Sequence, residues 1–162
     1  MQYSERVENA MRFSTEKHHG QKRIGGDDYI THPIAVCEMI RAQGLGEEYQ
    51  IAALFHDLLE DTDATEEEIL QLGSDEILTA VKLLTKKKGY CMAEYISAIK
   101  NNKIAFAVKA ADRLHNLQCA IVAGVAFKRK YISETLEWYW DFSADIQNAV
   151  AILEASLADT NA

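Results

Sequence analysis

The 162-residue chain has a single proline, Pro33, and only eight glycines, too few to punctuate a run of short strands and tight turns. It has three cysteines, Cys37, Cys91 and Cys119. An odd number of scattered cysteines among apolar neighbours excludes a disulfide framework and a cysteine-rich zinc site. They read as buried, reduced thiols of a cytoplasmic protein. Positive charge is also scarce: 17 Lys and Arg against 25 Asp and Glu give a net charge of −8. That balance argues against a broad electrostatic grip on nucleic acid or an anionic membrane, and leaves room only for a local basic pocket. No apolar run approaches the roughly 20 residues that span a bilayer. Residues 1–13 carry Glu5, Arg6, Glu8 and Arg12 where a secretory signal would be apolar.

What is present is 48% apolar and 26% charged residues, enough for one ordinary globular core. Apolar residues recur at spacings of three and four, the period of amphipathic helices. A first helix is expected from Ser4 toward Gly20, with Val7, Ala10, Met11 and Ser14 on one face. After a Gly/Asp loop, Pro33 suits the first turn of a second helix, which Gly44 and Gly46 end. A third helix is predicted without interruption over residues 47–60. Thr65 and Glu68 form a capping box that opens a short helix closed by Gly73. Further helices are expected at 75–84, 92–99 and 104–122, with one or two closing helices over 131–157. No repeat or linker divides the chain, so the expectation is one all-α domain over 1–162.

The chemistry concentrates in Ala53-Leu54-Phe55-His56-Asp57-Leu58-Leu59-Glu60-Asp61. His56 and Glu60 are four apart, as are Asp57 and Asp61, so each pair shares a helix face. His56 and Asp57 are about 100° apart round the axis, so one cation could take an imidazole nitrogen and a carboxylate oxygen together. Unpaired burial of such groups costs several kcal/mol each, roughly, and a metal ion offsets that well. The plain alternative is a partly exposed helix end with His56 merely hydrogen-bonded. Two other segments weigh against it. His32 stands directly before Pro33, and Asp112 and Asn116 are four apart in an otherwise apolar stretch.

Taken in chain order, His32, then His56-Asp57, then Asp112 resembles the metal-ligand order of the HD phosphohydrolase superfamily. The chain is most similar to the hydrolase domain of the RelA/SpoT family of alarmone enzymes. His18-His19-Gly20-Gln21-Lys22-Arg23 resembles that family's H-x-G-Q-x-R, and Gly26 to Pro33 resembles G-x-P-Y-I-x-H-P. His56 to Thr62 resembles H-D-x-x-E-D-T. Leu84-Thr85-Lys86, Lys109 to Leu117 and Tyr131 to Thr135 match in the same order, so the likeness runs over about residues 18–135.

The resemblance implies one divalent metal, usually manganese in this family, held by His32, His56, Asp57 and Asp112. Two nitrogens and two carboxylates would also accept Zn2+, Fe2+, Co2+ or Ni2+. It implies that Glu60 and Asp61 orient water and shuttle its proton, and that Arg23, Asn116 and Lys86 approach a nucleotide. The implied reaction is hydrolysis of ppGpp or pppGpp to GDP or GTP and pyrophosphate by a small stand-alone hydrolase. Alternatives are an HD nucleotidase releasing orthophosphate from another nucleotide, and a nucleotide sensor without turnover. Ile24, Asp28 and Cys119 depart from the family pattern, at positions where it often has lysine, proline and threonine. They leave the metal chemistry intact and bear on substrate choice. His18 reads as a brace for the Arg23 loop, His115 as a packing residue, and Lys87-Lys88 as a solvated link. For the aromatic run Trp138 to Phe142, core packing is the simpler account, with a homo-oligomer contact or a pocket wall as the alternative.

Overall fold

Helix boundaries follow local chemistry closely. In the computed structural model, which describes residues 2–160, the described residues form ten α-helices, one 3-10 turn and no strand beyond an isolated Lys22–Asp28 bridge. No helix among them is long and apolar enough to cross a membrane. The all-α expectation holds. The chain falls into two compact units, residues 1–109 and 110–162.

In the first unit, helix α1 (Glu5–Lys17) starts where the Ser4 hydroxyl accepts from Val7 N–H. It stops three residues before Gly20, whose φ of 86° only glycine adopts readily. Helix α2 covers Thr31–Ala42, so Pro33 lies at its third residue. Helix α3 covers Glu47–Phe55, with Ile51 to Phe55 fully buried as five consecutive residues. A helix that is apolar on every side belongs at the centre of a core, and α3 packs against α1, α2 and the later helix α6 (Asp75–Leu84). The Ser14 hydroxyl donates to Leu54 O at 2.8 Å, satisfying a polar group inside that core.

The uninterrupted third helix is corrected here. Helix α3 ends at Phe55, His56 and Asp57 form a turn, and a four-residue helix α4 (Leu58–Asp61) follows. His56 Nδ1 donates to Ala53 O at 2.6 Å, the carbonyl that an unbroken helix would offer to Asp57 N–H. A side chain thus competes with the backbone for one acceptor where the chemistry lies.

Helix α5 (Glu66–Leu72) carries both halves of the Thr65–Glu68 capping box. Gly73 closes it because a Cβ there would meet Ile69 O at 2.9 Å and the Ile77 side chain at 3.1 Å. Ser74 then caps α6, and helix α7 covers Met92–Lys100. Helix α8 (Lys103–Cys119) runs through the point where the chain divides.

The second unit continues from α8 through a 3-10 turn (Ala120–Val122) to helices α9 (Val125–Trp138) and α10 (Ala144–Thr160). These two closing helices begin six residues earlier than expected, and α9 packs against α10. Tyr139 and Phe142 are buried with rings 5.2 Å apart, while Trp140 is exposed. The cysteine expectation needs correction too. All three are free thiols, but only Cys37 is buried; Cys91 is exposed at the start of α7 and Cys119 is half-buried. Burial pushes the Cys37 thiol up to about 11.

Candidate metal and catalytic site

The break between α3 and α4 leaves His56 buried and Asp57 half-exposed at one corner of the first unit. The start of α2 brings a second buried imidazole, His32, to the same place, its ring centroid 5.3 Å from that of His56. One ligand atom each from His32, His56 and Asp57 lies within 4.8 Å of the others. Donors about 2.0–2.2 Å from one ion at tetrahedral angles lie about 3.3–3.6 Å apart, so the three atoms stand within about 1.5 Å of coordinating separations.

The donor chemistry fits a divalent cation. Because a carbonyl only accepts, His56 Nδ1 carries a proton toward Ala53 O, and a neutral ring then presents the Nε2 lone pair. That atom faces Asp57 Oδ2 at 3.2 Å. A lone pair and a carboxylate at this distance repel unless a proton or a metal ion joins them. Three convergent donors, two of them nitrogen, are a set that a first-row divalent cation accepts. A hydrogen bond from the other ring nitrogen to a backbone carbonyl is the usual way of orienting a ligand histidine.

Tyr29 is the residue that sequence reasoning missed. Its phenol donates to Asp57 Oδ2, and its ring lies 4.8 Å from His18 and 6.0 Å from His32. Within the motif it matched a named position without a role, because nothing in helical periodicity tells that a loop tyrosine reaches a carboxylate 28 residues away. His18, also buried, meets Gln21 through Nδ1 at 2.9 Å, and Gln21 Nε2 donates to Asp61 O at 2.8 Å. The H-x-G-Q segment thereby ties the end of α1 to the end of α4.

Glu60 and Asp61 lie on α4, both exposed, and the Glu60 carboxylate accepts from the backbone N–H of Lys86. The Asp61 carboxyl sits above the ordinary aspartate range. Partial burial is the main cause, followed by the negative charges of Asp57 and Glu60, partly offset by His18 and His56. The Lys86 ammonium lies 5.4 Å from the ring centres of both Tyr90 and Tyr95. Arg23 is half-exposed in a loop closed by Arg23 N–H donating to Asp27 O at 2.8 Å. Of the departures, Ile24 is 78% exposed, and Asp28 pairs with Lys22, which holds its carboxyl below the usual range. The negative charge introduced by Asp28 is therefore matched locally.

Asp112 and Asn116 belong to the second unit, on α8. Asp112 is buried, and Asn116 Nδ2 donates to its Oδ1 at 3.1 Å. His115 lies beside Cys119, with Nε2 3.5 Å from Sγ.

The HD domain family model matches residues 10–145. A guanosine-3′,5′-bis(diphosphate) 3′-pyrophosphohydrolase of Aquifex aeolicus is 34% identical over 146 residues, covering 85% of this chain and 21% of its own length. A protein of the same name from Spiroplasma citri is 38% identical over 124 residues, covering 69% of this chain and 16% of its own. This chain thus spans about a fifth of the length of the curated relatives it matches. A solved structure of a metazoan ortholog of SpoT, a protein that hydrolyzes ppGpp and plays a role in starvation responses, superposes with a TM-score of 0.71. It is 21% identical, and the match covers 98% of this chain and 95% of that one. At that identity the likeness concerns the fold.

Proposed function

The chain belongs to the HD-domain family, and from that premise we propose that it is a metal-dependent hydrolase of (p)ppGpp, releasing pyrophosphate from the 3′ position. The observation that carries this reading is the convergence of His32, His56 and Asp57 in a chain related to named 3′-pyrophosphohydrolases. In this reading residues 1–162 act as one catalytic domain of a cytoplasmic protein. Its partner is a small nucleotide, bound by a monomer or a homo-oligomer.

His32, His56 and Asp57 would hold the metal, with Asp112 as fourth ligand on the strength of its motif. Manganese is the ion proposed. A bound divalent ion supplies Lewis acidity, which activates water and offsets charge on the departing pyrophosphate. The chain's own groups do the rest. Tyr29 fixes one oxygen of Asp57 by donating to it. Glu60 orients the attacking water, and Asp61, with its raised pKa, accepts the proton at its carboxylate. Arg23 lies along the base or pyrophosphate, Lys86 meets phosphate, and Asn116 faces the ribose or phosphates.

Product analysis with ppGpp and Mn2+, beside a panel of nucleoside mono-, di- and triphosphates, tests the proposal. GDP and pyrophosphate from ppGpp are expected. Orthophosphate from another nucleotide, with ppGpp untouched, would identify a nucleotidase whose pocket Ile24, Asp28 and Cys119 have reshaped. Binding of ppGpp with no turnover of any nucleotide would identify a sensor.

A further inference from the structure

The link between α6 and α7, residues 85–91, is pinned from three directions. At its start the Thr85 hydroxyl donates to Val81 O at 2.7 Å, and the Tyr95 phenol donates to Leu84 O at 3.1 Å. In its middle, Tyr90 N–H donates to Lys87 O at 3.0 Å, in a turn that contains Gly89 at a φ of 77°. Over it, the Lys86 ammonium sits above two rings that meet edge to face, Tyr90 and Tyr95, with centroids 6.0 Å apart. The outcome of this pinning is one outward contact: Lys86 N–H donates to the Glu60 carboxylate, 26 residues earlier. Glu60 is exposed on a helix of four residues, an element too short to hold an acidic side chain in one direction by itself.

The geometry points to Lys86 as a positioning residue whose backbone N–H aims the Glu60 carboxylate, with its own side chain serving as the anchor that keeps the N–H in place. This deepens the hydrolase reading and rests on Glu60 being the group that orients water. It assigns to the 85–91 link a part in turnover that a phosphate-binding lysine alone would not have. A hydrogen bond from a neutral donor to a charged acceptor fixes direction as well as distance. Losing this one is expected to lower kcat on the order of tenfold.

Backbone and side chain can be separated by substitution. Thr85 has φ −90° and ψ 118°, the extended conformation that a residue before proline prefers. Lys86→Pro removes the N–H after a residue whose backbone already suits a following proline, while Lys86→Ala keeps the N–H and removes the ammonium. With ppGpp and Mn2+, Lys86→Pro is expected to lower kcat by about tenfold with the Mn2+ Kd unmoved. Lys86→Ala loosens the anchor and keeps the N–H, so it is expected to lower kcat by less than Lys86→Pro does, and that loss too should vanish in a Glu60→Ala background. In a Glu60→Ala background the effect of Lys86→Pro on the single-turnover rate should fall below about twofold, since the two changes act on one unit. Equal effects in both backgrounds would overturn the inference. Should Lys86→Pro fail to fold, the exposed Tyr90→Ala removes part of the anchor, and the same non-additivity is required of it.

A readout independent of activity completes the test. Amide hydrogen exchange of Lys86 in the metal-free protein should be at least about tenfold slower in the wild type than in Glu60→Ala. Identical exchange in the two proteins would overturn the hydrogen bond itself. Wild-type turnover by Glu60→Ala would instead sink the catalytic reading of Glu60 and, with it, the functional part of this inference, leaving the exchange result to judge the contact.

Discussion

The two units bury charge in opposite ways. In residues 1–109 the buried basic groups are imidazoles, His18, His32 and His56, two of which converge on the partly buried Asp57 carboxylate. In residues 110–162 the most deeply buried cation is Arg113, 4% exposed, which no accessible pH discharges. Arg113 Nη2 meets Glu134 at 2.7 Å, and its guanidinium lies 4.7 Å from the Tyr131 ring and 4.1 Å from the Tyr139 ring. Its Nε and Nη1 have no hydrogen-bond partner. The first arrangement presents two imidazole nitrogens and a carboxylate oxygen to one point, so it can take up a cation. The second carries its counter-ion permanently and stacks what it cannot hydrogen-bond, so it fixes geometry and exchanges nothing. A buried cluster that lacks a fixed counter-charge is where chemistry is to be sought; a buried pair that has one is scaffold.

The sharpest test of that contrast is Asp57→Ala, which should abolish metal retention and activity together, measured by metal analysis after gel filtration and by turnover. Full activity would remove Asp57 from the metal centre. Next in size, Glu60→Gln should keep the metal and lower kcat by roughly 10²–10⁴, the range for a positioned acid or base. Loss of metal in that variant would merge two roles that the reading separates.

On the scaffold side, Arg113→Ala should lower stability by about 3 kcal/mol, since it empties the space beside two rings and removes the ion pair to Glu134. Denaturant midpoints measure this. The folded variant should keep the wild-type ion stoichiometry; parallel loss of both would erase the distinction between the two units.

The smallest effect concerns Arg6–Glu48, a fixed pair at partial burial. Hydrogen bonding to Arg6, partial burial notwithstanding, holds the Glu48 carboxyl below the usual glutamate range, and Ser74 adds to this. A depressed carboxylate stabilises the fold above the unfolded pKa of roughly 4.3. That contribution is lost as pH falls through the lower folded value. Glu48→Gln should flatten the stability–pH curve only in that acidic window; an effect that persists unchanged at neutral and acid pH would assign it to packing.

Much of the architecture was legible because its causes are local. Thr65 with Glu68 and Gly73 between two helices act within four residues of themselves, and the 75–84 helix follows from its own apolar spacing. The motif order singles out His32, His56 and Asp57 from the sequence alone. The break at His56–Asp57 was not legible, because periodicity cannot register a side chain that takes a backbone acceptor. The exposure of Cys91 was missed for a related reason: apolar neighbours in sequence do not guarantee burial at the first turn of a helix.

By itself, then, the sequence determined which groups could do chemistry and which segments would be helical, since residue type, spacing and capping operate at short range. Only the tertiary structure decided that Tyr29 reaches Asp57 and that a backbone N–H of Lys86 reaches Glu60. Such contacts join residues far apart in the chain, and one of them involves a group that every residue but proline carries, so no pattern of side chains could announce it.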